Sequence, residues 1–334
     1  MSRFFLSLIL FFAGILHLWR PELFDPAIPF DDKWSINVFS GLFEITLGFG
    51  LWKKKLQDIS AQISALWFLL LIPIHLYVSW NHIPMFGIGH PALLWARTAL
   101  QPLLYLWAIS LQNNGWIMAQ TWRDVLFLHY QVDPKLLQEH VPFKLDLYEG
   151  HAIISIVSFT MDSIRFPFLP SVPGLSKLNE LNLRTYVEVD GVKGVYFFTL
   201  DADLRPAIWI AKSFFSLPYR LAKINISKKK NNYIIESENA LSSLRINADI
   251  GAFKPSSDFD LWATERYGLF TKRFGHSLHG IVQHAPWQLS QVTLNSVEDH
   301  FSSQLGVDFK AKFFIDPRYC PLLKVRFRPF YNLR

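Results

Sequence analysis

Five polar side chains stand where polarity is expensive. His17, Glu44, His75, Arg97 and Gln101 all lie inside long apolar stretches of the first 112 residues. In hydrocarbon such groups must find a partner, a ligand or a water-filled path. A carboxylate and a guanidinium at similar depth largely cancel each other's cost, so Glu44 and Arg97 are expected to pair. The cluster reads either as a site for a small molecule, a quinone or a proton, or as a structural clasp between short helices. Elsewhere the chemistry is sparser. Cys320 is the only cysteine, so no internal disulfide forms, and no fixed His marks it as a nucleophile. His276, His279 and His284 are spaced three and five apart, which does not put them on one face of a strand. No metal set is expected, and no cofactor is implied.

The elements that would carry these groups follow from composition. Of 334 residues 51% are hydrophobic and only 18% charged, and mean hydropathy is +0.18. Apolar residues crowd before position 112 and charges after 119, which separates a membrane part from a soluble part. The net charge of +6 comes without a basic stripe interleaved with aromatics, so no nucleic-acid partner is expected. Four apolar stretches, Phe4–Trp19, Ile36–Trp52, Ala61–Trp80 and Ala92–Leu111, are expected to span the bilayer. The first lacks the small-x-small site of a cleaved signal peptide. Arg3 and Lys53-Lys54-Lys55 share one side, against Glu22, Asp25, Asp31 and Asp32 on the other. That predicts a multi-pass protein of the cell (inner) membrane with its C-terminal domain in the cytoplasm. The oligomeric state is open.

Phe12-Ala13-Gly14 leading to His17, Gly41-x-x-Glu44 with Gly48, and His90-Pro91 followed by Trp95, Arg97 and Gln101 resemble the DoxX-like family of four-helix membrane proteins. The resemblance covers residues 1–112 and implies a membrane four-helix bundle. Some relatives are linked to quinone-dependent sulfur oxidation.

The polar run Gln112-Asn113-Asn114-Gly115 marks the boundary. Beyond it, strands are predicted over His151–Phe159, Arg184–Asp190, Gly194–Leu200, Tyr233–Ser237 and Leu278–His284. Helices are predicted over Val132–His140, Ala207–Leu217 and Asp258–Arg273, the second apolar nearly all round and therefore buried. Lys228-Lys229-Lys230-Asn231-Asn232 reads as a hairpin tip that would touch anionic headgroups. Many strands with few helices make an α+β domain.

Within 119–334, Gly191-Val192-Lys193-Gly194-Val195-Tyr196, Leu200-Asp201, Pro206-Ala207-Ile208 and Leu217-Pro218-Tyr219-Arg220-Leu221-Ala222 are similar to acetoacetate decarboxylase. The nearer likeness is to an uncharacterised bacterial branch of that superfamily. It is carried by Trp122-Arg123-Asp124, Glu180-Leu181-Asn182-Leu183-Arg184-Thr185-Tyr186-Val187, Glu265-Arg266-Tyr267 and His284-Ala285-Pro286-Trp287. The resemblance implies a closed, cone-like β-barrel with room for a small molecule.

The decarboxylases use a Lys amine, kept neutral by its pocket, to form a Schiff base with a β-keto acid. Their Lys pair follows a Pro and precedes a Leu. Here Tyr219 holds the Schiff-base place and Arg220 the second. A phenol forms no imine. The resemblance further assigns Arg123 and Glu188 to the pocket, where with Tyr219 and Arg220 they would suit an anionic or carbonyl ligand. Lys212 and Lys223 are the nearby amines that would substitute as nucleophile. Three functions stay open: a membrane-anchored small-ligand binder, a lyase or hydrolase with Tyr219 as acid–base, and a membrane redox or scaffold component acting through its helices.

Overall fold

A computed structural model describes residues 2–112, 115–273, 275–305 and 316–332. Asn113 and Asn114 of the expected boundary lie outside the described residues. The chain divides into two compact units, Met1–Ile117 and Met118–Arg334.

The first unit contains α1 (Ser2–Trp19), α2 (Lys33–Trp52), α3 (Gln57–Trp80) and α4 (Pro91–Ser110). Asp32 caps α2 by accepting from the Ser35 amide at 3.1 Å, and Pro91 occupies the first turn of α4, where its missing N–H costs nothing. α1 and α2 meet through glycine. A Cβ on Gly14 would stand 2.6 Å from the Gly41 carbonyl oxygen, so only a bare backbone fits. Helices α2 and α3 are long and apolar enough to cross a membrane, with mean hydropathy 1.2 and 1.8; α1 is apolar over the shorter Arg3–Trp19. In α4, Arg97, Gln101 and two prolines lower the hydropathy.

The second unit opens with β1 (Met118–Val132), a five-residue helix α5 (Pro134–Gln138), the short β2 (Lys144–Leu145), β3 (Ala152–Arg165), β4 (Leu178–Val189) and β5 (Val192–Ala202). Helix α6 (Arg205–Phe215) leads to β6 (Tyr219–Leu221), β7 (Lys223–Lys229), β8 (Asn232–Glu238) and β9 (Ser243–Phe253). After α7 (Asp258–Thr264) come β10 (Gly268–Arg273), β11 (His276–His284), β12 (Ser290–Asp299), β13 (Arg318–Phe327) and β14 (Tyr331–Asn332).

These strands form one mixed sheet that closes on itself. Going round, β1 pairs β3, β3 pairs β4, β4 pairs β5, β5 pairs β10 in parallel, β10 pairs β11, β11 pairs β13, and β13 returns to β1. The remaining path β12-β9-β8-β7 continues from β13 as a wing. Trp122, Ile153, Tyr186, Val195, Leu269, Val282 and Val325 come one from each ring strand and pack in a single cluster with Phe259 and Ala263 of α7. Their face is therefore the inside of the ring. The opposite face of β1, β3 and β4 packs against the wing.

Two helical expectations need correction. The stretch Asp258–Arg273 is not one helix: α7 stops at Thr264, and 268–273 is strand. The break is imposed at Gly268, which must pass close to β5. A Cβ on Gly194 would meet the Gly268 carbonyl oxygen at 2.5 Å, and one on Gly268 would meet His279 Nε2 at 2.7 Å, so the close approach needs glycine at both positions. Nor is α6 buried all round. Ile208 is inside, but Arg205, Pro206, Trp209 and Lys212 face out, with Trp209 65% exposed.

Candidate functional site

Strand β4 builds the inner polar face. Glu180, Asn182, Arg184 and Tyr186 alternate with Leu181, Leu183, Thr185 and Val187, and a period of two sends the first set into the ring while the leucines and Val187 join the wing-side core. Glu180, Asn182 and Arg184 are only 3%, 2% and 9% exposed. Cross-strand register adds His129 of β1 beside Ser155 of β3, which lies beside Arg184.

The Tyr219 hydroxyl donates to Glu180 Oε2 at 2.6 Å, and Asn182 Nδ2 donates to Glu180 Oε1 at 3.1 Å. Burial raises the Glu180 carboxyl to about 7; the two hydrogen bonds and the Arg184 charge offset only part of that. Burial, with that carboxylate alongside, holds the Tyr219 phenol well above its usual range. His129 Nδ1 lies 2.7 Å from Ser155 Oγ, itself 2.7 Å from the Tyr186 hydroxyl. Burial pushes this imidazole down to about 3, Arg184 and Arg318 adding to the effect and Asp260 opposing it.

Among the described residues, the buried polar atoms on this face without a hydrogen-bond partner include Asn182 Oδ1, Arg184 Nε, His129 Nε2 and Arg318 Nη1. Among the described residues Arg184 forms no ion pair. Its guanidinium carbon lies 5.7 Å from the Phe127 ring centroid and 5.9 Å from that of Tyr186. The arrangement offers a cationic donor, an amide acceptor and a carboxyl–phenol couple near its point of titration, which suits an anionic or carbonyl oxygen.

Of the expected pocket, only Tyr219 is here. Arg220 follows it in β6 and points to the other face, its Nε donating to Asp201 Oδ1 at 2.9 Å. Arg123 is half exposed and ion-paired with Asp162. Glu188 is on the same face of β4 as Glu180 but eight residues on, roughly 26 Å along the strand, opposite Lys193. The structure does not gather Arg123, Arg220 and Glu188 with Tyr219. Glu180, Asn182 and Arg184 take their place. The signal for them was an alternating polar series between leucines, within a motif noted only as a family hallmark. All described lysines of this unit are exposed, Lys212 and Lys223 included; Lys310 and Lys312 lie outside the described residues. A low-pKa amine needs an apolar or cationic enclosure, which none of the described ones has. Among the described residues no group of three or more His, Cys, Asp or Glu is placed to hold a metal.

In the helical unit, Glu44 and Arg97 do not pair. Glu44 Oε1 accepts from Trp67 Nε1 at 2.9 Å, and Arg97 lies over the Phe86 ring at 5.6 Å. His17 Nδ1 is 2.7 Å from Asn37 Oδ1, and Asn37 Nδ2 donates to Asp25. His75 and Gln101 are buried, with His75 Nδ1 and Gln101 Oε1 unpartnered.

The fold of the second unit is that of acetoacetate decarboxylase-like proteins. An acetoacetate decarboxylase-like enzyme from Sphingomonas wittichii RW1 superposes with a TM-score of 0.51 at 11% identity, over 65% of this chain and 93% of that one. Acetoacetate decarboxylase from Legionella pneumophila gives 0.50 at 14%, over 65% and 87%. Residues 119–320 match the model of DUF2071, described as an uncharacterized conserved protein, and the chain belongs to that family. The uncharacterized protein YqjF of Bacillus subtilis is 40% identical over 207 residues, 57% of this chain and 84% of the relative. Residues 6–112 match a different model, the domain of unknown function DUF8561.

Proposed function

We propose that this is a membrane-anchored protein whose barrel binds a small carboxylate- or carbonyl-bearing compound without forming a Schiff base. One observation carries the reading: Arg184 Nε and Asn182 Oδ1 are buried and unpartnered beside the Tyr219–Glu180 couple. Burying a cation without an ion-pair partner is costly, and a ligand oxygen on the guanidinium would repay it. The exposed placement of the described lysines supports a non-imine chemistry.

Anchoring rests on the outward faces of α1–α4. Phe5, Phe12, Phe49, Leu70, Leu93 and Leu100 are 49–67% exposed, a large apolar surface that water would penalise. Trp19, Trp52 and Trp80 close three helices, the positions that interfacial aromatics favour. The same faces support a multi-pass topology, and Lys53-Lys54-Lys55 supports a cytoplasmic barrel; the DoxX-like reading is supported by the motifs around His17, Glu44 and Arg97.

The test is a thermal-shift and calorimetric screen of the purified full chain against β-keto, α-keto and other small carboxylic acids, repeated with Arg184→Met. Ligand stabilisation that disappears in the variant supports the reading; no binder across the panel counts against it. Borohydride reduction with a keto acid should trap no adduct, and a covalent product on any side chain would overturn the non-imine claim.

A second reading is favoured by Glu180, whose carboxyl titrates near neutrality against a phenol. That couple would pass a proton to or from a carbonyl compound, making the barrel a lyase or hydrolase. Turnover with a pH limb near 7 that vanishes in Glu180→Gln would establish it.

A further inference from the structure

We infer that one end of the barrel is a membrane-docking surface, formed by the β3–β4 loop, α6 and the β8–β9 turn. The inference rests on the anchored reading above and adds which face of the barrel meets lipid.

Strand register fixes which loops share that end. Ala119 near the start of β1 lies opposite Arg165 at the end of β3; Glu180 near the start of β4 lies opposite Ala202 at the end of β5; Leu221 of β6 is beside Ala202. The turn after β8 joins the group, because Asn239 Nδ2 donates to Asp201 Oδ2. The loop of residues 166–177, α6, Leu221 and Leu241 are therefore neighbours at the end from which β1 departs.

That end is apolar at its tips. Phe168 is 51% exposed, Val172 52%, Leu175 53% and Leu241 73%, with Trp209 of α6 also outward. Pro170 and Pro173 keep the loop from pairing as a strand. Exposed apolar residues scattered singly mean little, but a group carried on adjacent loops marks an interaction surface. Arg165, Lys177, Arg205 and Lys212 are exposed around it, against Asp203 and Glu238. Aromatic and aliphatic tips ringed by a basic excess match a bilayer interface with anionic headgroups.

Chain continuity selects the bilayer over a protein partner. Only residues 111–117 separate the end of α4 from Met118, a reach of at most about 29 Å. The strand tethered that closely to the apolar helices starts at the apolar end. The opposite end carries the turns Glu149-Gly150, Asp190-Gly191 and Lys230-Asn231. Lys228-Lys229-Lys230 runs into one of these turns, so the docking surface inferred here does not include it.

The test uses the full chain in nanodiscs of phosphatidylcholine and phosphatidylglycerol that carry nitroxide-labelled lipid. Single variants Phe168→Cys, Leu175→Cys, Asn231→Cys and Phe49→Cys are labelled with bimane; native Cys320 is fully buried and stays unlabelled. The expected result is that bimane at 168 and 175 loses most of its emission to the lipid quencher, as it does at 49 in α2, while 231 keeps it. Quenching at 49 with none at 168 and 175, or more at 231 than at 168, overturns the docking surface and leaves the anchored reading standing. No quenching at 49 overturns both.

Discussion

Tyr219 and Arg220 are consecutive residues that serve opposite faces of one short strand. The phenol enters the ring and bonds Glu180 at 2.6 Å, while the guanidinium leaves it for Asp201 at 2.8 Å. Read as a motif the two form a catalytic pair; read as a β-strand they cannot share a pocket. The partners of Tyr219 are the alternate residues of β4, and the predictions follow from them.

Removing the phenol should tighten the proton on Glu180. In Tyr219→Phe the carboxyl keeps only Asn182 as donor, so its titration moves above 7. Infrared detection of the protonated carboxyl against pH would show the midpoint rise. A stability loss of about 1–2 kcal/mol in urea titration should accompany it.

Glu180 also sets a sign for pH. Its native pKa of about 7 exceeds the ordinary 4.5, so between those values the folded chain holds a proton that the unfolded chain releases. Stability from this group is therefore full below 4.5 and falls through pH 7, by about 3 kcal/mol in total. Glu180→Gln should remove the decline, making the variant relatively more stable at pH 8 than at pH 5. Melts of both proteins at the two values check it.

His129 works in the other direction. Its native pKa of about 3 is below the ordinary 6.5, so acid protonates the unfolded chain first, and stability is lost as pH falls from 6.5 toward 3. Replacing His129 with Gln should blunt acid unfolding, read as a lower midpoint pH in a circular-dichroism titration.

The buried Asp260–Arg318 pair is bidentate, at 3.1 and 2.7 Å, with both side chains essentially inaccessible. Asp260→Ala strands the guanidinium and removes a helix cap on Ser257, and should cost about 3–5 kcal/mol. Arg184→Met, by contrast, deletes a buried cation that forms no ion pair and should be neutral or stabilising. Comparing the two melting temperatures tests both assignments.

Because Glu44 bonds Trp67 and Arg97 covers Phe86, these two side chains should be energetically independent. The effects of Glu44→Gln and Arg97→Gln on detergent-solubilised stability should add in the double variant.

How much of this the sequence shows depends on the range of the determining interaction. The four N-terminal helices follow from local hydropathy, and α1–α4 match the apolar stretches closely. The decarboxylase-like barrel is carried by the motif around Gly194 and Tyr196, which encodes a close strand approach. The α7–β10 break escaped because it depends on Gly268 meeting Gly194, a contact between distant segments. The resemblance points to Glu188, which shares one face of β4 with Glu180; only the cross-strand position of Tyr219 shows that Glu180 is the carboxylate beside the phenol. Depth in the sequence suggests a Glu44–Arg97 pair, whereas Trp67 and Phe86 are the partners the helices supply.

The ring closes through β13, whose Phe327 lies opposite Met118 at the start of β1. Those positions are 209 residues apart, so the strand that seals the barrel is synthesised after every other strand of the ring. While β1, β3 and β4 emerge from the ribosome, their inner faces have no final partner, and such non-local pairing is slow and exposed to aggregation. A stop codon shortly before β13 would leave an open sheet with β1 as an unpaired edge. Truncation before Arg318 is therefore a route to degradation rather than to a smaller working barrel.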